Sequence, residues 1–104
     1  MSELPRTYRE FMEKHPEIWQ AYERLGTAAA EGGPLDAKLR ELVKLGMAAA
    51  VGSEGSVASH ARRAVEAGAS REELEHTLLL GITTMGFAKS MAAINWASAA
   101  LDSK

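Results

Sequence analysis

Four side chains near the middle of this 104-residue sequence have the types and the spacing of a reactive site. Ser53, Ser56 and His60 form a Ser-x-x-Ser-x-x-x-His pattern, and Glu41 lies twelve residues before its first serine. With cysteine at both serine positions, the pattern would be a thiol redox centre with a histidine one helical turn after the second thiol. The chain contains no cysteine, so the pattern as it stands cannot perform dithiol chemistry.

Acid–base chemistry is what these residue types still allow. Residues four apart on a helix are neighbours, so Ser56 and His60 share a face, with Ser53 at the helix start. A turn before Ser53 would fold two helices into a hairpin and bring Glu41 towards the imidazole. A carboxylate that orients a histidine gives a general acid or base, and the helix N-terminus beside it favours an anion. We therefore predict catalytic residues at these four positions, with Arg63 as the candidate for binding a substrate.

Each of these residues also has a structural interpretation. Ser53 fits an N-cap, Ser56 fits a residue that solvates the first helical turn, and His60 fits a hydrogen-bonded structural histidine. Glu41 lies among three basic residues and fits a solvated charged face. A serine nucleophile activated by the histidine is a further alternative, although the sequence shows no strained nucleophile elbow.

Metal and cofactor binding are not expected from the composition. The absence of cysteine excludes disulfides, thiolate metal sites and iron–sulfur clusters, and the three histidines are not spaced four residues apart. The net charge is −2, the isoelectric point is about 5.9, and both signs are mixed along the chain, so no nucleic-acid partner is expected. No apolar run approaches the ~20 residues that span a bilayer, and the N-terminus shows no apolar signal region. A cytoplasmic protein without a membrane partner is the expectation.

The helical period recurs in segment after segment and predicts an all-α fold of about six helices in one domain spanning residues 1–104. Pro16 fits the first residue of the second helix. Asp36 is the expected N-cap of the third helix, and Gly52 its end. The fifth helix should begin with a capping box formed by Ser70 and Glu73, and run without interruption to Gly86.

Apolar spacing predicts which faces of the helices turn inward. The predicted stripes are Leu39, Leu42, Val43, Gly46, Met47 and Ala50 on the third helix, and Val57, Ala61, Ala64 and Val65 on the fourth. The last two helices carry more apolar surface than one face needs. Gly46 and Gly81, placed inside helices where glycine costs ~1 kcal/mol relative to alanine, indicate close helix approach. We therefore predict a homo-oligomer.

Several short motifs resemble one family. Residues 35–43, Leu-Asp-Ala-Lys-Leu-Arg-Glu-Leu-Val, contain a Lys-x-Arg-Glu-Leu helix start, and residues 60–74 contain His-Ala-Arg-Arg-Ala and Glu-Ala-Gly-Ala-Ser-Arg-Glu-Glu-Leu. Gly86-Phe87 follows, with Ala88 where many relatives have proline. From about Leu35 to Trp96 the chain resembles the carboxymuconolactone decarboxylase and alkylhydroperoxidase D-like family. The resemblance implies an all-helical fold and homo-oligomers, usually trimers or hexamers.

The resemblance implies different chemistry for two branches of that family. In the peroxidase-like branch a glutamate and a Cys-x-x-Cys-x-x-x-His motif act together; Glu41 and His60 match this relay, whereas Ser53 and Ser56 replace both thiols. The decarboxylase branch needs no dithiol and acts on a carboxylated lactone. There His60 would supply a proton, Glu41 would orient it, and Arg63 or an arginine of a neighbouring subunit would neutralise the substrate.

Three functions follow as hypotheses. The leading one is acid–base chemistry on a small carboxylated molecule, closer to a decarboxylase or lyase than to a thiol peroxidase. The second is a non-catalytic oligomer with a binding or structural role. The third is an alkylhydroperoxidase D-type peroxidase, if Ser53 and Ser56 replace native cysteines.

Overall fold

A computed structural model describes residues 5–103, which fall into two compact units, 5–34 and 35–103. All regular structure in this range is helical, without a strand, which confirms the all-α prediction. The division into one domain spanning residues 1–104 stays a prediction. No helix in residues 5–103 combines the length and the apolar character needed to cross a membrane.

The first unit is a pair of helices, α1 (Arg6–Lys14) and α2 (Pro16–Ala30). Pro16 is the first residue of α2, as predicted, because its missing N–H would be unpaired there in any case. Trp19 joins the two helices through its ring, whose centroid lies 6.4 Å from that of Tyr8 and 6.3 Å from that of Phe11. Neither helix contains a buried residue.

The second unit contains α3 (Ala37–Val51), α4 (Glu54–Glu66), α5 (Arg71–Leu79), α6 (Ile82–Met85) and α7 (Phe87–Asp102). Its boundaries follow the predicted caps. The side chain of Asp36 accepts a hydrogen bond from the Leu39 N–H at 2.9 Å, and Gly52 ends α3 with a φ of 83°. Ser70 and Glu73 form both bonds of the capping box at 3.0 Å.

The fifth helix is shorter than predicted. It ends at Leu79, and the single turn of α6 follows Gly81 before Gly86 redirects the chain with a φ of 102°. Gly81 therefore lies at a helix junction and not inside a helix. A Cβ atom there would meet the Met85 side chain and would lie 2.8 Å from the Ser90 hydroxyl oxygen, which explains why glycine occupies the position.

The core of this unit is built mainly from alanine, which lets the helices approach closely. Its buried apolar residues are Leu45, Ala48, Ala49, Val57, Ala61, Ala64, Ala69, Leu74, Leu78, Ala93 and Ala97. The predicted inward face of α4 is confirmed at three positions, while Val65 is exposed. The predicted face of α3 is wrong at most positions: Leu39, Val43 and Met47 are exposed, and Leu42 alone of its large side chains packs against the core. The buried residues of α3 are instead the leucine and two alanines of 45–49.

Candidate active site

The helical hairpin of α3 and α4 brings Glu41 and His60 into direct contact. Nδ1 of His60 lies 2.8 Å from Oε1 of Glu41, although the two residues are 19 apart in the sequence. Both side chains are 19% exposed. The contact lies at the margin of the core, screened from bulk water but still reachable from outside.

Core packing on both helices fixes this contact. Glu41 precedes the buried residues Leu45 and Ala48 by four and seven positions, so it lies on the packed side of α3. His60 lies directly beside Ala61, which is fully buried together with Val57. Because these neighbours hold both helices against each other, the carboxylate and the imidazole are positioned by secondary structure and not by a loop.

The bond defines which nitrogen of the imidazole faces a reactant. An ionised carboxylate can only accept a hydrogen bond, so Nδ1 of His60 donates its proton to Glu41. In the neutral ring, Nε2 then carries a lone pair and is the nitrogen available to a reactant. The pair can therefore accept a proton at Nε2 and return it, which is the behaviour of a general base and acid.

The two serines lie at the start of α4. The Ser53 hydroxyl oxygen accepts the backbone N–H of Ser56 at 3.3 Å, so the N-cap predicted for Ser53 is confirmed. Ser56 lies one turn before His60 on the same edge of the helix and is half-buried. The helical spacing thus places Ser56 and the imidazole on one edge of α4, close to the helix N-terminus.

Arg63 continues this edge of α4. Ser56, His60 and Arg63 are spaced i, i+4 and i+7, so the guanidinium lies one turn beyond the imidazole and is exposed. No hydrogen bond joins the Arg63 and His60 side chains in the range 5–103. Of the five predicted site residues, side-chain contact thus joins Glu41 and His60, whereas Arg63 only shares the edge of α4 with Ser56 and His60.

Lys89 is a neighbour of this hairpin that the sequence reasoning missed. Its Nζ atom donates a hydrogen bond to the carbonyl oxygen of Ala50 at 2.9 Å, which satisfies one of the four carbonyls left open at the end of α3. A lysine on α7 thereby ties that helix to the turn before Ser53. A lone basic residue near the start of an alanine-rich helix was the available signal.

A separate cleft of about 210 Å³ lies between α5 and α7. It is lined by Arg71, Glu72, Glu75, Leu78, Ile94, Ala97, Ser98 and Leu101, and none of the five predicted site residues contributes to it. Within residues 5–103, no cluster of three or more histidine and acidic side chains could hold a metal ion.

Comparison with known proteins identifies a family and several similar proteins. The model of the carboxymuconolactone decarboxylase family matches residues 16–99. An uncharacterised protein from Haemophilus influenzae is 42% identical over 63 residues, which are 61% of this chain. That match spans 56% of the length of the Haemophilus protein.

Two crystal structures are similar to the chain over most of its length. One is an apo form of a carboxymuconolactone decarboxylase family protein from Legionella pneumophila, with 30% identity and a TM-score of 0.81, covering 92% of this chain and 85% of that one. The other is a carboxymuconolactone decarboxylase candidate from Burkholderia xenovorans, with 27% identity and a TM-score of 0.76. This second match covers 95% of the present chain and 80% of the Burkholderia chain.

Proposed function

The chain belongs to the carboxymuconolactone decarboxylase family, and we propose that it performs acid–base chemistry on a small carboxylated molecule without thiol redox activity. The observation that carries the proposal is the 2.8 Å contact between His60 Nδ1 and Glu41 Oε1. In this proposal Glu41 orients the ring, and His60 Nε2 exchanges a proton with the substrate.

A decarboxylation would use these groups as follows. When the substrate loses carbon dioxide, the electron pair of the broken carbon–carbon bond stays on the substrate as an enolate-like carbanion. His60, protonated at Nε2, then delivers a proton to that carbon, and Glu41 stabilises the imidazolium before transfer. Arg63 and the N–H groups at the start of α4, beside Ser53 and Ser56, would favour the anionic substrate.

Assembly and location belong to the same proposal. We propose a cytoplasmic homo-oligomer, a trimer or hexamer, because large apolar side chains remain exposed on the single chain. Examples are Leu80, at 63% exposure, and Phe87, at 65%. An arginine of a neighbouring subunit would then be able to neutralise the substrate in place of Arg63.

The test is an assay for carbon dioxide release from carboxymuconolactone. Removing a general acid or base lowers rates by about 10²- to 10⁴-fold, so His60→Ala should lose activity by that factor while keeping its helical content. His76→Ala is the matched control, because His76 is an exposed histidine on α5. Full activity of His60→Ala would place the chemistry elsewhere, and absence of decarboxylation by the unaltered chain would reject this reaction.

A non-catalytic role is the second candidate, and one observation favours it. The cleft of about 210 Å³ is lined by other residues, among them Arg71 and Leu78, and not by the Glu41–His60 pair. A binding module predicts that a carboxylate ligand raises the melting temperature equally in the unaltered chain and in His60→Ala. A thermal shift that disappears in His60→Ala would instead support the site on α3 and α4.

The peroxidase alternative depends on the native identity of two residues. Sulfur must be oxidised and reduced during peroxide turnover, and Ser53 and Ser56 have no sulfur. Cysteine codons at 53 and 56 in the native gene would favour that alternative; serine codons exclude it.

A further inference from the structure

Helix α3 is apolar on two opposite faces, and only one of them is covered. The inner face packs into the core through the fully buried Leu45 and its neighbours. The opposite face, which we call the outer face, consists of Leu39, Val43, Met47 and Ala50. Leu39 and Val43 are each 44% exposed, and Met47 is 61% exposed. A helix apolar on both faces is typical of one that is covered on both sides.

Helix α2 presents a second uncovered stripe of similar spacing. Ile18, Tyr22, Leu25 and Ala29 follow one another at i, i+4, i+7 and i+11, and form what we call the arm stripe. Ile18 is 58% exposed, Tyr22 62% and Leu25 67%. The arm stripe and the outer face of α3 each extend over eleven residue steps, from 18 to 29 and from 39 to 50, so each runs along about 17 Å of helix.

We propose that the arm stripe of one copy packs against the outer face of α3 in a second copy. The inference rests on the self-association contained in the proposed function, and it names the surfaces that carry it. Two apolar stripes of equal length can be buried along their whole extent when two helices pack at an interaxial distance of 8–10 Å. Because the two surfaces differ, the contact closes either reciprocally in pairs or head-to-tail in a ring.

Charge favours this pairing over the symmetric one. Helix α3 carries three basic side chains and one acidic side chain. Glu41 is already bonded to His60, and Lys38 to Glu73. This leaves Arg40 and Lys44 as the charges of α3 without a carboxylate partner in residues 5–103. Two α3 helices facing each other would therefore bring like charges together. Helix α2 carries Glu17, Glu23 and a single arginine, so its net charge is opposite to that of α3.

Engineered cysteines test the pairing directly, because the chain has none of its own. Tyr22→Cys and Val43→Cys place a thiol at the seventh of the fifteen residues of α2 and α3, respectively. These positions lie near both helix midpoints and come together whichever way the helices run. The two variants, one carrying an affinity tag, are refolded together and treated with a short thiol-to-thiol cross-linker.

The expected product is a cross-linked pair that contains one chain of each variant, with little cross-linking of either variant alone. Self-cross-linking of Val43→Cys would indicate α3–α3 pairing, and self-cross-linking of Tyr22→Cys would indicate α2–α2 pairing; both overturn the inference. A chain with both cysteines that cross-links within itself at high dilution overturns it too. Glu66→Cys, exposed on α4, is the control for random collision.

Sedimentation of the unaltered chain separates failure of the inference from failure of the proposed self-association. An oligomer without the mixed cross-link overturns the α2–α3 contact alone, whereas a monomer overturns both. As a second measurement, Leu25→Asp and Val43→Asp should each weaken association by about tenfold to a hundredfold, since each places a charge in an apolar contact. Gln20→Asp, which places the same charge on the exposed side of α2 opposite the arm stripe, should leave the association nearly unchanged, and equal association of all four proteins would reject the contact.

Discussion

His60 Nδ1 lies 2.8 Å from Glu41 Oε1, and the two side chains come from helices that pack through alanine and leucine. The contact is therefore held by the core of the second unit. This arrangement links stability to chemistry, because a change that disturbs the packing of α3 on α4 also moves the carboxylate relative to the imidazole.

The first prediction concerns the coupling between these two side chains. Glu41→Ala and His60→Ala should each destabilise the protein by about 1–3 kcal/mol, since each leaves a half-buried partner without its hydrogen bond. The double variant should lose less than the sum, with a coupling of about 0.5–3 kcal/mol. Denaturant unfolding of the four proteins measures this cycle. Additive losses would mean that the contact contributes nothing to the folded state.

The second prediction concerns two glycines in different surroundings. Gly81→Ala should destabilise the protein by about 1–3 kcal/mol, because its Cβ would lie 2.8 Å from the Ser90 hydroxyl oxygen and against Met85. Gly46→Ala is the matched control. Its Cβ would lie 3.9 Å from the Thr77 methyl carbon, an ordinary contact, so helix propensity should stabilise it by about 0.8–1.0 kcal/mol.

The Ser90 hydroxyl gives this second prediction an internal check. It is fully buried and has no hydrogen-bond partner among the described residues, so Ser90→Ala should be neutral or stabilising. Because Ser90→Ala also removes the atom nearest to the new methyl group apart from Met85, it should recover part of the loss caused by Gly81→Ala. Melting temperatures of the two single variants and the double variant decide this, and a double variant no better than Gly81→Ala contradicts the steric explanation.

Local signals predicted the helix boundaries well, because caps act within one turn of the chain. Asp36, Gly52, Ser53 and the Ser70–Glu73 capping box all act as predicted. The inner face of α3 could not be chosen from the sequence, since the helix is apolar on both sides and periodicity alone does not rank two faces. The close packing that requires glycine at position 81 involves Ser90, which lies on a different helix.

The candidate site was predictable as a set of residues but not as a geometry. The spacing of Ser53, Ser56 and His60 places them on one helical edge whatever the rest of the fold does. The contact with Glu41 depends on how α3 and α4 cross, which the core decides. Lys89 was not predicted because its partner is a backbone carbonyl of α3. Every residue has such a carbonyl, so the sequence does not indicate which one accepts a hydrogen bond.

The third prediction concerns acid stability. The backbone N–H of Ser70, together with the ammonium group of Lys38, holds the pKa of Glu73 below its usual value of 4.5. A lowered pKa in the folded state stabilises the protein fully above pH 4.5, and this contribution disappears as the pH falls through the folded-state pKa. Melting temperatures measured from pH 6 down to about pH 3 should therefore fall more steeply for the unaltered chain than for Glu73→Gln.

Glutamine is the appropriate replacement because it can still fill its position in a capping box while carrying no titrating charge. Glu72→Gln, on the exposed side of the same helical turn, is the control and should keep the steep acid slope. If the melting temperature fell equally with pH for the unaltered chain and for Glu73→Gln, Glu73 would not contribute to acid stability.

The last prediction concerns the thiols that the site lacks. Ser53→Cys/Ser56→Cys should place two sulfurs at the N-cap and third residue of α4, where the helix N-terminus lowers thiol pKa values. One thiolate would attack a hydroperoxide, release the alcohol and become a sulfenic acid; the second thiol would condense with it and release water. A dithiol reductant would then restore both thiols, so the double variant should consume hydroperoxide catalytically, while the unaltered chain should not.

Adding His60→Ala should slow this turnover if the Glu41–His60 pair moves the protons. Ser56→Cys alone is the control, because without a resolving thiol at position 53 it should oxidise and stop. A double variant that never forms the intramolecular disulfide would show that the α3–α4 turn does not bring positions 53 and 56 within bonding distance.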